Sequence, residues 1–304
     1  MKFMEAGTRK LHDRRAERLP EWLKKRVQIS DELIRVKNLI KHEHLNTVCQ
    51  AAGCPNIVEC FQKPTATFMI LGNVCTRHCR FCGVMSGKPD SPDADEPTRI
   101  GRVVRKLNLK HIVITSVTRD DLQDGGASHF AETINAIHAS LPNATIEALI
   151  PDFNGDVSAL RKVVKTPLHV LNHNIETVPR LYQSVRPEAN YLQSLEVLRT
   201  AKTIRPGLIT KSGLMVGLGE TVDELKTVFE DLAQSGVDAL TIGQYMAPDE
   251  NSIPVNQYIH PDQFKQYENI AHTSGIRWVK ADPLVRSSYN AEELLNEIKG
   301  DVCE

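Results

Sequence analysis

Short apolar runs and helix-period stretches alternate along most of the chain. The runs are TFMILG (67–72), HIVITSV (111–117), TIEALI (145–150), LHVLNHN (168–174), LITKSGLM (208–215) and DALTIG (238–243). Each has the length of a buried strand. Between them IGRVVRKL, FAETINAIHASL, VSALRKVV, YLQSLEVLRTAKTI and VDELKTVFEDLAQSG repeat their apolar residues at helical spacing. Buried strands joined by helices form parallel βαβ units. Six such units are two short of a closed eight-unit barrel. The expected fold is α/β, an open, partial (β/α)6 TIM-like barrel with N- and C-terminal extensions.

Upstream, DELIRVKNLIKHE (31–43) spaces Leu33, Ile34, Val36, Leu39 and Ile40 as a helical stripe, and NIVECFQ (56–62) reads as a short helix. SGKPDSPDADEP (86–97) is a loop broken by Pro89, Pro92 and Pro97. The pattern divides the chain into an arm (1–62), the barrel (63–245) and a C-terminal extension (246–304). In α/β barrels the chemistry gathers at the C-terminal ends of the strands. CTRHCRFC (75–82) follows the first run directly, SVTRDDLQDGG follows the second, Glu147 lies near the end of the third, and NHN ends the fourth. Polar residues collected at strand ends are what an active-site rim requires.

Charge narrows the function. The formal net charge of −1 on 304 residues argues against a dedicated nucleic-acid binder, which is normally basic. No apolar run approaches the ~18 residues of a membrane span. The N-terminus lacks the apolar core of a secretory signal, and Glu5, Asp13, Glu17 and Glu21 argue against a mitochondrial presequence. A cytoplasmic enzyme is expected. Residues 1–28 hold nine Lys or Arg against four acids and include LPEWLKKR. They read either as an arm laid on the body, with Trp22 as its anchor, or as a solvated tail.

The seven cysteines carry the chemistry: Cys49, Cys54, Cys60, Cys75, Cys79, Cys82 and Cys303. A secreted disulfide framework belongs to small, loop-rich domains, whereas clustered thiols in a reducing compartment read as metal ligands. Cys303 reads as an exposed thiol. Cys75, Cys79 and Cys82 have the spacing C-x3-C-x2-C, and no fourth cysteine follows. Such a loop can hold three irons of a [4Fe–4S] cubane and leave the fourth iron open. A zinc knuckle completed by His78 or a distant residue is the other reading of the spacing. Cys49, Cys54 and Cys60 form a second triplet, C-x4-C-x5-C, too irregular for a ferredoxin run. Two triplets suggest two cubanes, the second needing a non-cysteine ligand.

The C-x3-C-x2-C loop, with Phe81 before its last cysteine, resembles the radical S-adenosylmethionine superfamily. There the amino and carboxylate groups of S-adenosylmethionine chelate the open iron, and one electron cleaves the sulfonium to a 5′-deoxyadenosyl radical. With C-x4-C-x5-C upstream, and with PEWLK, TSVTRDDLQDGG, NHNIET, VRPEANYLQSL, SGLMVGLGE and RSSY, the chain resembles the lipoyl synthase family over roughly residues 20 to 290. The resemblance implies two [4Fe–4S] clusters, S-adenosylmethionine as cosubstrate, and insertion of two sulfur atoms at C6 and C8 of a protein-bound octanoyl-lysine. The sulfur would come from the auxiliary cluster held by Cys49, Cys54, Cys60 and a serine of RSSY, Ser288 with Ser287 as the alternative. The same Ser-Ser pair also reads as the cap of a helix beginning near AEELLNEI. Unactivated C–H bonds offer a general base no acidity, so radical abstraction suits these targets.

Position assigns further roles. Asp121, Gly125 and Gly126 lie in a loop that can present a carboxylate and backbone N–H groups to S-adenosylmethionine, or they form a plain turn. Asn172 and Glu176 in NHNIET can bind its ribose or amino-acid portion, or serve as strand-end and helix-start groups. GLMVGLGE resembles the glycine-rich strand that flanks adenine in the superfamily, and Arg186 can meet a carboxylate or form a surface ion pair. Implied partners are octanoylated lipoyl carrier domains, a low-potential electron donor and an iron–sulfur carrier for cluster repair, with no nucleic acid or membrane. Lys24, Lys25 and Arg26 are candidates to dock an acidic carrier domain. Three rival readings stand beside this one: a sulfur-inserting enzyme resembling biotin synthase, a two-cluster electron carrier, and a zinc-stabilised binding module. The upstream triplet with RSSY argues against the first, and an open iron in a barrel of this size argues against the second.

Overall fold

Val, Ile, Leu and Thr dominate the six apolar runs, and the computed structural model makes each of them a parallel strand. The structure describes residues 19–24, 30–51, 54, 56–62 and 67–288. The strands are β1 (Asn46–Thr47), β2 (Thr67–Ile70), β3 (Val74–Cys75), β4 (Met85–Ser86), β5 (His111–Ser116), β6 (Thr145–Leu149), β7 (Val170–Asn172), β8 (Ile209–Val216), β9 (Ala239–Gln244) and β10 (Trp278–Ala281). One sheet of eight strands runs in the order β1-β2-β5-β6-β7-β8-β9-β10, and β3 pairs with β4 alone. Only β1 is antiparallel in the large sheet. β1 and β10 are its two edges, so the barrel stays open, as the count of units predicts.

The helices are α1 (Asp31–His42), α2 (Val48–Ala51), α3 (Ile57–Gln62), α4 (Glu96–Leu107), α5 (Ala127–Ser140), α6 (Val157–Val164), α7 (Tyr182–Val185), α8 (Tyr191–Ile204), α9 (Val222–Gln234) and α10 (Pro261–Thr273). Their starts are fixed by side-chain caps. The Asp156 carboxylate accepts from Ser158 N at 2.7 Å before α6, and Asn190 Oδ1 accepts from Gln193 N at 3.0 Å before α8. Thr221 and Glu224 form a reciprocal capping box on α9.

Strand alternation sorts the side chains into two layers. Ile112, Ile114, Ile146, Ala148, Leu171, Leu240 and Ile242 join the main core under the helices. Full burial of such a side chain contributes roughly 1.5–3 kcal/mol. The opposite face lines the lumen. Val170, Ala239 and Trp278, with Ile209 against them, form a separate apolar plug at the first residues of β7 to β10. Above the plug the lumen turns polar.

Three features depart from the sequence pattern. β10 is a seventh parallel strand within the region expected to pack around the barrel. WVKA is short and mixes an aromatic with a lysine, so periodicity does not mark it, but Trp278 pairs with Ala239 and extends the sheet. Glu147 is not at the rim. It is the third residue of β6, is buried, and points into the lumen. In the arm, Leu23 is the buried residue of a short turn of helix (Glu21–Leu23), while Trp22 is partly exposed and meets the His260 ring edge-on at 5.1 Å. Lys24 pairs with Glu21. Lys25, Arg26, Tyr289, AEELLNEI and Cys303 lie outside the described residues. No helix among the described residues is long and apolar enough to cross a membrane.

After β10 the chain folds back across the strand ends. Asp282 N donates to Ile242 O at 3.1 Å, and Gln244 N donates to Pro283 O at 3.2 Å. The approach is closest at Gly243, where a Cβ would stand 2.2 Å from Val285 O. Gly243→Ala is therefore expected to destabilise the protein by about 1–3 kcal/mol and to expose the 284–288 segment to limited proteolysis. Gly207→Ala, at a site with nothing within 4 Å of the added methyl, is the control and leaves both unchanged.

Candidate active site

The cysteine loop leaves β2 through a backbone that only its neighbours can hold. Leu71 has φ +67°, a strained value for a bulky residue. Its N–H donates to Glu96 Oε2 at 2.8 Å, and Arg119 Nη1 donates to its carbonyl at 3.2 Å. A Cβ on Gly126 would stand 2.3 Å from Leu71 Cδ1. Gly126 is thus required for this close approach. Its N–H donates to Asp124 Oδ1 at 3.1 Å, and that of Gly125 donates to Leu122 O at 3.0 Å. Asp121 pairs with Arg119 at 2.8 Å. These three predicted contact groups all have partners within the protein.

From Gly72 the chain enters β3, which ends at Cys75, and the loop carrying Cys79 and Cys82 leads into β4, which runs parallel to β3 and closes the loop. Arg77 fastens that loop. Its guanidinium donates to Asp120 at 2.8 and 3.0 Å, to Asp152 at 2.9 and 2.7 Å, and to Asn154 Oδ1 at 2.8 Å. The loop after β2 is thereby tied to the loops after β5 and β6. Burial alone would lower the Arg77 pKa, but the bonds from Asp152 and Asp120 outweigh it and raise it. Burial would raise the Asp152 pKa, yet Arg77 holds it at about 2.

The three thiols converge. Burial pushes Cys79 up to about 12, with Arg186 opposing and Cys82, Cys75 and Glu176 adding repulsion. Burial raises Cys82 to about 11, again with Cys75 and Glu176 contributing. Backbone N–H groups already point at the sulfurs: Thr118 N at 3.3 Å and Arg77 N at 3.5 Å from Cys75 Sγ, and Val84 N at 3.4 Å from Cys82 Sγ. Such donors stabilise metal-bound thiolates. Among the described residues no three His, Cys, Asp or Glu stand close enough together to hold one metal ion. His78 faces outward and pairs with Glu188 at 3.1 Å. The chemistry of the donor set fits a cubane.

Glu176 and Arg186 complete this end. Glu176 has φ +67° and is locked against β8 by Glu176 N to Gly213 O (3.0 Å) and Met215 N to Glu176 O (2.9 Å). Burial raises its carboxyl pKa against the pull of Arg186. Arg186 is buried, donates to Asn174 O (3.0 Å) and Ile175 O (3.2 Å), and lies over the Tyr182 ring. Its Nε has no partner among the described residues. Asn172 points lower, into the lumen. Its Nδ2 donates to Glu147 Oε1 at 2.9 Å, and its buried Oδ1 has no partner among the described residues.

The upstream cysteines sit on α2, on the turn after it and on α3. Cys54 N donates to Cys49 O at 3.1 Å, and Cys60 N to Asn56 O at 2.9 Å. Burial, then the nearby Cys54, raises Cys49 to about 11. None of these six cysteines is disulfide-bonded. The C-terminal segment meets them across most of the chain: Asn56 Nδ2 donates to Leu284 O at 2.7 Å, and the half-buried Arg286 lies within electrostatic reach of Cys54. The two serines differ. Ser287 Oγ donates to Asn174 Oδ1 at 3.0 Å. Ser288 is half-buried and makes no hydrogen bond among the described residues. Cys49 and Cys54 thus lie beside one another, and the segment that carries Ser288 is tied to their neighbour Asn56.

A six-unit parallel barrel with a three-cysteine loop at its mouth defines a radical S-adenosylmethionine enzyme, and residues 69–232 match the Radical SAM superfamily profile. The chain belongs to that superfamily, which carries a [4Fe–4S] cluster and uses S-adenosylmethionine. Within it the chain belongs to the lipoyl synthase family. It is 52% identical to the lipoyl synthase of Caldanaerobacter subterraneus subsp. tengcongensis, over 93% of this chain and 99% of that one. It is 53% identical to the lipoyl synthase of Caldicellulosiruptor saccharolyticus, over 90% and 96%. The crystal structure of methylornithine synthase shares the fold at 12% identity, with a TM-score of 0.52 and 90% of each chain covered.

Sequence reading missed Arg77, Asp120 and Asp152 as the clasp of the cysteine loop. The signal was present, an arginine between two ligands with carboxylates in two later rim loops. Removing one partner from a buried pair costs about 3–5 kcal/mol. Arg77→Met is expected to lose that much stability and most of the iron bound in a Cys49/Cys54/Cys60 triple-alanine background, read by unfolding and iron assay. The pH response follows from the same groups. Asp152 titrates at about 2 in the folded protein and near ~3.9 unfolded, so its contribution is full above ~3.9 and is lost as pH falls toward 2. Burial, reinforced by Arg186, holds His173 down at about 4, so it adds a loss between ~6.5 and 4. The thermal midpoint of the apoprotein should fall from pH ~6.5 to ~4 through His173 and go on falling below ~4 through Asp152. Asp152→Asn should flatten the lower part of that decline.

Proposed function

We propose that the chain inserts two sulfur atoms at C6 and C8 of an octanoyl group carried on a lysine of a lipoyl carrier domain. The observation that carries this reading is the joining of the upstream cysteine segment to the 284–288 segment through Asn56 and Leu284, at the barrel that bears Cys75, Cys79 and Cys82. A radical enzyme with one cluster needs no such second donor set. When bound, the groups supply one-electron cleavage of S-adenosylmethionine for hydrogen abstraction and sulfide for the new C–S bonds.

The protein's own residues would then act as follows. Cys75, Cys79 and Cys82 hold the radical cluster, with Arg77 fixing the loop. Arg186, through its unpartnered Nε–H, receives the carboxylate of the cosubstrate, and Glu176 its ammonium group. Cys49, Cys54, Cys60 and Ser288 hold the auxiliary cluster. The Ser287 hydroxyl is engaged by Asn174, which leaves Ser288 the better ligand of the pair. A hydroxyl ligand is harder than a thiolate and binds a soft cluster less firmly, which suits a corner that must be released. A low-potential donor would supply electrons, and an iron–sulfur carrier would rebuild the spent cluster.

The test counts iron and acid-labile sulfide in anaerobically prepared protein. About eight irons, falling to about four in the Cys49/Cys54/Cys60 triple-alanine variant, is the expected result. About four in both would mean that the upstream triplet holds no cluster and that sulfur comes from elsewhere.

A further inference from the structure

Below the rim the lumen holds a buried ion pair that the proposed chemistry does not use. Lys211 and Glu147 are each 1% exposed, and Lys211 Nζ lies 3.1 and 3.3 Å from the two carboxylate oxygens. Burial would raise the Glu147 pKa, but Lys211, His111 and Asn172 together outweigh it and hold the carboxyl at about 2. A pair this deep is costly to desolvate and needs further hydrogen bonds to be worth keeping. Glu147 receives one from Asn172 Nδ2. His111 Nε2 stands 3.6 Å from Glu147, too far for a hydrogen bond, and has no other partner among the described residues.

Lys211 has three donors. Two are directed at Glu147, and the third donates to the main-chain carbonyl of Ser287 at 2.6 Å. That is the shortest contact of the group and bridges 76 residues. It is also the one contact, among the described residues, that leaves the strands. The segment it grips is held on its other side by the upstream cysteine turn, through Asn56 to Leu284. The next residue along is Ser288.

We infer that the Lys211–Glu147 pair is a positioning device, in which the lysine ammonium, oriented by the carboxylate, clasps the Ser287 carbonyl and so presents Ser288 to the Cys49/Cys54/Cys60 group. Neither side chain need touch the substrate. The pair sets how firmly the serine corner of the auxiliary cluster is held, and it ties that corner to the barrel that holds the radical cluster. The inference rests on the auxiliary site proposed above.

The experiment reads each site alone. Cysteine-to-alanine triple variants at 75/79/82 leave only the auxiliary site, and those at 49/54/60 leave only the radical site. Each background is reconstituted with iron and sulfide, with and without Lys211→Met, and with the neutral pair Lys211→Met/Glu147→Gln, which leaves no orphaned charge. Iron release to a chelator is timed and the cluster spectra are recorded. The expected result is release from the auxiliary site roughly 10-fold faster, the loss of one charge-assisted hydrogen bond, with an altered cluster spectrum. The radical site should release iron at its parent rate. Equal rates in parent and double variant at a loaded auxiliary site would overturn the clasp alone. Equal acceleration at both sites would overturn it too, since the pair would then be a general support of the barrel. No iron in the parent lacking the 75/79/82 cysteines would overturn the auxiliary site itself, and the clasp with it.

Discussion

All the strands of the barrel sheet except the edge strand β1 run the same way, and that shared polarity is the constraint on which the site depends. Parallel strands bring every C-terminal end to one face. Residues as far apart in sequence as Cys75, Asp152, Glu176 and Gly213 can therefore meet without any long excursion of the chain. The segment after β10 exploits the same geometry. It turns back over the ends of β9 and reaches the turn carrying Cys54, although 228 residues separate Asn56 from Leu284.

Within that frame, three buried cations fasten what the strands only bring near. Arg77 ties the first cysteine loop to its neighbours, Arg186 holds the Asn174–Ile175 turn beside Glu176, and Lys211 reaches the C-terminal segment. Surface pairs such as Lys265–Asp262 contribute about 0–1 kcal/mol, and their removal would move nothing at the site. The buried ones matter because each grips a backbone or a loop that lacks regular hydrogen bonding of its own. Their desolvation is offset only when every donor finds an acceptor. Each guanidinium nitrogen of Arg77 and the ammonium of Lys211 find acceptors, whereas the buried Nε of Arg186 has none among the described residues.

Much of this was legible in the sequence, for definite reasons. The six strands and the bounds of α6 and α8 follow from period and caps, since Asp156 and Asn190 sit where the helices begin. The cysteine spacings were visible because ligands on one loop must be near in sequence. What could not be read is what arises from tertiary approach. Gly126 reads as a turn glycine open to a ligand, and its requirement comes from Leu71, distant in sequence. Glu147 reads as a rim group because a carboxylate in an apolar run suggests a strand end, and only the buried lysine across the lumen makes a mid-strand position tenable. β10 carries too few apolar residues to declare itself before β9 is there to pair with it.

The two cysteine triads are fastened differently, and the difference has chemical sense. Cys75, Cys79 and Cys82 sit in a loop pinned by a five-bond arginine clasp, with backbone N–H groups aimed at two of the sulfurs. A site that transfers electrons and returns unchanged gains from such rigidity, because its ligands need not move. Cys49 and Cys60 sit on two short helices with Cys54 between them, joined to the barrel by β1 against β2 and by the burial of Cys49, and to the returning segment by the hydrogen bond from Asn56 to Leu284. On the proposed function, a donor set that gives up sulfur and is refilled would gain from one corner that can open while the cysteines keep hold of the rest, and the serine proposed for that corner stands on the segment that meets the arm through Asn56.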